Sequence, residues 1–490
     1  MFTNEWQNYW GLERDPFACE DADKDFVLSE LDSGSVHSSF DRIYGDPRMP
    51  APGIVFGEKG SGKSGLRLMM KRRLEEHNEE SEDAKLFILE YIDFNLYLEH
   101  FRGQSSSSPE KLMSAWSLSD HIDSLLSIGT TQLVDGCLEG TEKHEKLSPK
   151  QKLNLLLLTS LYYNSKNHTA SHATSRLTRT LRFFNGRKFK RSLGLILLTL
   201  VSIALAAAPH VGESDLGPAN YWYLSGGLLL AASWIRHKSV DYMTRRRARR
   251  AAASIRVLPR ESSTIADVLA SIPTSQRAEY TLPESNREEG RYELLQRLFD
   301  LTEAFGYSGW YVLLDRVDEP SLLSGDSKLM SQFIEKLLDI KLLQYPGLAL
   351  KLFLPIELET LYRTATPEDL KRMRLDKSNL IPELKWGGQE LYEIANKRLR
   401  ACLEHGSQLK TLDGLFDPEF DLEYLRSTMQ VLGTPRYSFG FLSSVVLAHV
   451  KELPGDLAKD DPAWRIPLSR FEIERAAWID RTGLLRRTMN

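Results

Sequence analysis

Short apolar runs and helically spaced apolar positions alternate along the chain. Ile54, Val55 and Phe56 follow the breaker stretch "RMPAPG" and predict a short buried strand. Leu66, Met70 and Leu74 then recur at helical spacing, with Met69 on the adjoining face. Lys85–Asp93, "KLFILEYID", is largely apolar and reads as a second core strand. Helical patterns follow: one has an N-cap-like Ser119, and another, "SPKQKLNLLLLTSLYY", carries Pro149 in its first turn. Its Leu155–Leu158 run reads as core, and "NSKNHTASHATS" (164–175) as a polar linker. Leu294, Leu295, Leu298, Phe299 and Leu301 give an amphipathic helix within 284–309. After it, Tyr311–Leu314 forms an unbroken apolar run ending in Asp315. That suits a central parallel strand presenting a carboxylate at its C-terminal end.

Two longer apolar runs lie between these halves. "LGLILLTLVSIALAAAPHV" covers 193–211 and "NYWYLSGGLLLAASWI" covers 220–235, and neither holds a charged residue. At ~1.5 Å per residue the first spans about 28 Å, close to a ~30 Å hydrocarbon core. Its Leu, Ile and Val residues, at roughly −0.5 kcal/mol each, favour insertion. The second is shorter, contains Gly226, Gly227 and Ser233, and places Tyr221, Trp222, Tyr223 and Trp234 near its ends. Together they predict a transmembrane helical hairpin.

Charge sharpens that expectation. Residues 176–256 hold fifteen Lys/Arg against three acids (Glu213, Asp215, Asp241), leaving 48 bases against 64 acids elsewhere. The basic residues flank the outer ends of both runs, and the connecting "GESDLGPA" has acids only. The positive-inside rule puts both termini and the remaining domains on the cytoplasmic side of the cell inner membrane, with anionic lipid headgroups as partners. The otherwise acidic chain argues against duplex DNA, so no specific nucleic-acid partner is expected. The three cysteines are far apart, which disfavours a disulfide framework or a zinc site.

The chemistry concentrates at two places about 250 residues apart. "GIVFGEKGSGKSG" matches G-x-x-x-x-G-K-[ST] in full at Gly57, Gly62, Lys63 and Ser64, with a strand before and a helix after. Gly57, Glu58, Lys59, Gly60, Ser61, Gly62, Lys63, Ser64 and Gly65 would surround the phosphates with backbone N–H groups. Lys63 would reach the outer phosphates and Ser64 a Mg²⁺ ion. Asp315 is the metal-side acid. Asp318 and Glu319 are the candidates to orient an attacking water, because position 316, next to the strand acid, is arginine. No D-x-x-G follows Asp315 and no N/T-K-x-D stretch occurs, so ATP is expected rather than GTP.

The order of phosphate loop, paired apolar helices and acidic strand resembles the KAP P-loop NTPases, within the wider AAA+/STAND group. "NYWGLERDPFA" (8–18) is similar to the lead-in of secretion and transposition ATPases of that group. "GLALKLFLPIELETLYR" (347–363) looks like the next core strand and helix, and "IPELKWGGQELYEIANKRLRACL" (381–403) the entry to a helical lid. "GTPRYSFGFLSSVV" is similar to the lid motif G-x-P-R, which makes Arg436 a sensor arginine. By position, Arg363, Arg372 and Arg374 are the candidates for an arginine finger supplied to a neighbouring subunit. The resemblance implies a P-loop NTPase parallel sheet flanked by helices, with an inserted transmembrane hairpin and a C-terminal helical lid. The expected divisions are a lead-in (1–50), a first half of the nucleotide domain with a helical insertion (51–175), the hairpin region (176–256), a second half (257–385) and the lid with the C-terminal region (386–490). It also implies an ATPase in signalling or anti-phage defence, working as a homo-oligomer or with a protein effector. An envelope-assembly or secretion motor, or a nucleotide-gated scaffold without turnover, are the alternatives.

Overall fold

The computed structural model describes residues 4–18, 21–30, 37–81, 84–104, 107–142, 147–183, 196–204, 207, 219–272, 276–284, 288–363, 366–372, 379–454 and 457–488. Strand β1 (Gly53–Gly57) leads into helix α1 (Lys63–Glu80), and β2 (Lys85–Tyr91) follows. Next come helices α2 (Leu118–Glu139), α3 (Pro149–Tyr162), α4 (Ala170–Thr180), α5 (Ala219–Ser254) and α6 (Glu289–Ala304). Strands β3 (Tyr307–Leu314), β4 (Leu348–Pro355) and β5 (Leu380–Ile381) precede helices α7 (Gly388–Ala401), α8 (Leu422–Leu432), α9 (Pro435–Val450) and α10 (Leu468–Thr488).

The chain is α/β: a five-stranded parallel sheet of order β2-β3-β4-β1-β5, flanked by helices. The strands that the sequence marks as unbroken apolar runs are the central ones, because a parallel sheet covered on both faces needs apolar side chains on both. β4 is buried along its whole length, and Tyr311–Leu314 of β3 are fully buried. Register aligns Leu314 with Leu352 and Leu352 with Ile54. Phe40, Val55, Met70, Tyr311 and Phe353 belong to one core cluster that ties the sheet to its helices. Parallel strands end at a common edge, so the loop after β1 and the acid after β3 emerge at the same edge, with β4 between their strands.

Two compact units divide the chain: residues 1–92 with 309–490, and residues 93–308. The inserted unit is therefore wider than the basic-flanked region 176–256 and takes in α2, α3 and α4. Leu155–Leu158 are buried within it, as their pattern predicts. Its buried charges are paired: Asp120 with Arg256, and Asp123 with Arg291 and the Tyr162 hydroxyl. Burial pushes the Asp123 carboxyl up to about 7 against the opposing pull of Arg291. Two local expectations need correction. Helix α2 starts earlier than an Ser119 cap implies, because the Ser117 amide donates to the Asp120 carboxylate at 2.8 Å and closes the first turn. The polar stretch 164–175 is a linker only in part, since Thr169 caps α4 by accepting from His172 N.

The expected hairpin takes a different form where it is described. Among the described residues, no helix is long and apolar enough to cross a membrane. Of the first run only 196–204 and 207 are described, and the loop 212–218 and basic residues 187–191 lie outside the described residues. The second run, about 220–235, is not a separate span but the start of the 36-residue α5. Sixteen residues at ~1.5 Å reach only about 24 Å before Arg236, and Gly and Ser dilute their hydropathy. Large apolar side chains are nevertheless exposed along both runs, including Leu197, Leu200, Ile203, Leu224, Leu228 and Trp234. Further along α5, Ala248, Ala251 and Ser254 are buried, and Arg247 donates to the Arg277 and Tyr280 carbonyls, so that arginine serves the fold of the inserted unit.

The N-terminal lead-in divides: its residues through Val27 join the C-terminal helices, whereas Phe40, Ile43 and Tyr44 pack with the sheet. Trp6, Trp10, Leu12, Phe17 and Val27 share one core with Leu391, Leu399, Leu425, Phe441 and Phe471. The Trp6 indole donates to the Trp464 carbonyl at 3.1 Å.

Candidate functional site

The turn between β1 and α1 is a cradle of main-chain groups. Gly60 and Gly62 hold φ of 86° and 91°, a left-handed backbone that side chains disfavour. Gly62 caps α1, and the first ladder bond, from Leu66 N to the Gly62 carbonyl, leaves the amides of Lys63, Ser64 and Gly65 without helical partners. Such amides at a helix N-terminus favour an anion. The Lys63 ammonium is folded back onto the Gly57 and Glu58 carbonyls, at 2.7 and 2.9 Å. Burial draws its pKa down, opposed by Asp315, Asp318 and Glu357 and assisted by Arg436. Ser61 Oγ is buried without a hydrogen-bond partner. A lysine ammonium beside three helix-start amides without helical partners is chemistry that can hold an anion.

Asp315 follows the last residue of β3 and is buried. Its Oδ1 accepts the Arg316 amide at 2.9 Å, and its Oδ2 faces Arg67 Nε at 3.3 Å. Arg67 was not among the expected site residues. It is fully buried on α1, one turn after Lys63, and also pairs with Asp23 and Glu90. A signal for it existed: Arg67 falls on the Lys63–Met70–Leu74 stripe, where a charged residue must meet buried partners. Asp318 is half-buried and Glu319 exposed. Partial desolvation raises the Glu319 pKa, Arg316 lowers it, and Asp318, Asp315 and Asp21 raise it further.

The start of α9 closes on the loop from the other side. Thr434 caps this helix, Pro435 opens it, and Arg436 N donates to the Gly60 carbonyl at 3.3 Å. A Cβ on Gly60 would lie 2.8 Å from Arg436 Cβ, so only glycine permits this approach. The Trp386 indole donates to the Ser61 carbonyl at 2.6 Å and pins the loop from beneath. Arg436 Nε is buried without a hydrogen-bond partner.

Lys63, Ser64, Asp315, Asp318, Glu319 and Arg436 line one cleft of about 530 Å³, together with Lys59, Gly60, Gly62 and Gly65. Gly57, Glu58 and Ser61 support that lining from β1 and the turn after it. Asp21 and Asp25 of the lead-in and Arg398 of α7 complete the wall. Asp25 and Arg398 form a buried pair at 2.5 Å. Arg363 stands outside the cleft lining, 71% exposed and paired with Glu359 one turn earlier. Arg372 ends a short helix, and Arg374 lies outside the described residues. Among the described residues no cluster of three His, Cys, Asp or Glu could hold a metal unaided. Ser64 and Asp315 both line the cleft and bring a hydroxyl and a carboxylate to it.

No protein-family model, curated protein or solved structure matches this chain. The functional reading therefore rests on the site.

Proposed function

We propose that this chain is a membrane-attached P-loop ATPase acting as a nucleotide-driven switch. The observation that carries it is the meeting of the phosphate loop, Asp315 and Arg436 in one cleft, from segments about 250 and 370 residues apart in sequence. Lys63 would exchange its loop carbonyls for phosphate oxygens, while the α1 amides bind the same anion. Ser64 and Asp315 would hold Mg²⁺, which neutralises charge on the phosphates. Glu319, with Asp318 beside it, would orient and deprotonate water. Arg436 would contact the terminal phosphate and report its presence to the C-terminal helices through α9.

Membrane attachment is part of the same proposal. The exposed apolar side chains within 196–204 and 224–235, in a stretch whose sequence is flanked by basic residues, support insertion of the 193–235 hairpin among anionic lipids, with both termini cytoplasmic. The hairpin connects by chain to the β2 and β3 sides of the sheet, a route by which nucleotide state would reach a protein effector or a second copy. A role in signalling or anti-phage defence is the biological form of this proposal, and it rests on the resemblance to KAP NTPases.

One observation favours slow or absent turnover: Arg316 stands 3.6 Å from Glu319 and competes for the carboxylate a base would use. Turnover measured in detergent-solubilised protein, with Asp315→Asn and Glu319→Gln alongside, separates the readings. An ATPase loses turnover in both variants. Tight ATP binding with no turnover in any form identifies the scaffold, and absent nucleotide binding removes both.

A further inference from the structure

Arg316 occupies an unusual position. It is one of three non-glycine residues with positive φ among the described residues, at 65°. A left-handed backbone at an arginine is costly and marks a place where side-chain direction matters. That side chain lines the cleft shared by Lys63, Asp315 and Arg436. Its Nη2 is held by Asp21 at 3.3 Å and by Asp23, its Nη1 lies 3.6 Å from Glu319, and its Nε is buried with no hydrogen-bond partner.

The two aspartates lie on and beside the three-residue turn Ala22–Lys24 of the lead-in. Three alternating acids there meet three arginines: Asp21 meets Arg316, Asp23 meets Arg316 and Arg67, and Asp25 meets Arg398. Each of Asp21 and Asp23 gives one carboxylate oxygen to Arg316 Nη2, an anionic acceptor of the kind that a phosphate oxygen also supplies. We propose that Arg316 is a third cationic contact for the terminal phosphate of the bound nucleotide, and that Asp21 and Asp23 hold it in reserve until the phosphate displaces them. This rests on the ATP reading of the site and adds a residue to it. Asp23 keeps Arg67 and Asp25 keeps Arg398, so the exchange releases only the Asp21 end of the turn from its arginine. It also removes Arg316 from Glu319.

The test is equilibrium titration of Mg-ATP and Mg-ADP into the solubilised full chain. Arg316→Ala should weaken ATP about tenfold and leave ADP within about twofold, as expected for one charge-assisted contact to the terminal phosphate. Asp21→Asn with Asp23→Asn should tighten ATP several-fold, and that gain should vanish when Arg316→Ala is added. Equal weakening of ATP and ADP with both still bound, no change in either, or a gain that persists without Arg316 would each overturn the proposal. If Arg316→Ala loses both nucleotides, Arg316→Lys decides: weakened ATP with normal ADP supports the contact, and unchanged discrimination refutes it. Lys63→Ala run in parallel separates the layers, because unaltered ATP binding there defeats the P-loop reading itself, whatever Arg316 does.

Discussion

Arg67 shows how a single side chain organises the cleft. Its guanidinium meets Asp315, Glu90 and Asp23, and Lys71 reaches Glu90 at 2.6 Å. Removing one partner of a buried charge network leaves the others uncompensated. Arg67→Met should therefore cost about 3 kcal/mol, read as a lowered urea midpoint at unchanged slope. If Glu319 activates water as proposed, it sets a pH dependence. Its carboxyl lies above the ordinary glutamate value of 4.5, and water activation needs it deprotonated. Turnover should climb as pH rises through that elevated pKa, and Glu319→Gln should abolish the climb along with the activity. Arg67 and the acids at 21 and 23 were illegible as site residues for a physical reason. Their pairing spans up to 295 residues of sequence and leaves no periodicity behind, only a charge in an apolar stripe.

Elements were more legible than pairings. The loop from Gly57 to Gly65 announces itself because its chemistry is local: glycines, lysine and serine at fixed spacing between an apolar triplet and a helical stripe. β3 was readable as an unbroken apolar run, a consequence of burial on both faces, whereas β4 was placed by its resemblance to the strand after the acidic one. Lys351 is an exception inside β4. Its ammonium is buried, donates to the Ile43 and Tyr44 carbonyls, and has its pKa pulled down to about 7 by desolvation. Between about 7 and 10.5 the unfolded chain keeps a proton that the folded chain has released, so stability from this residue rises with pH across that window. Urea melts of wild type against Lys351→Met should show the wild type gaining relative stability from pH 7 to 10. The docking of α9 on the loop makes its own prediction. Gly60→Ala adds a methyl against Arg436 on a left-handed backbone, at about 1–2 kcal/mol of strain, and should weaken nucleotide binding by about tenfold.

Across the whole chain, the sheet is interrupted by a unit of its own, residues 93–308, between β2 and the bulk of β3. The sequence displayed the apolar runs and basic flanks within this unit but not its extent, because α2, α3 and α6 are helices whose buried faces look like any others. The lead-in was similarly opaque: Trp6 and Trp464 meet across 458 residues. Deleting 192–235 should move the protein from the membrane to the aqueous fraction in carbonate extraction while leaving ATP affinity intact. Unchanged partition would contradict the anchor, and lost affinity would contradict the independence of the nucleotide cleft.

The account stands or falls on one cleft built from two distant stretches of chain. Calorimetric titration of Mg-ATP into wild type, Lys63→Ala and Asp315→Asn measures it most directly. Micromolar or tighter binding in the wild type, none detectable in Lys63→Ala and loss of Mg²⁺-dependent affinity in Asp315→Asn is the predicted result. Equal ATP affinity in all three proteins, or none in any of them, would contradict it.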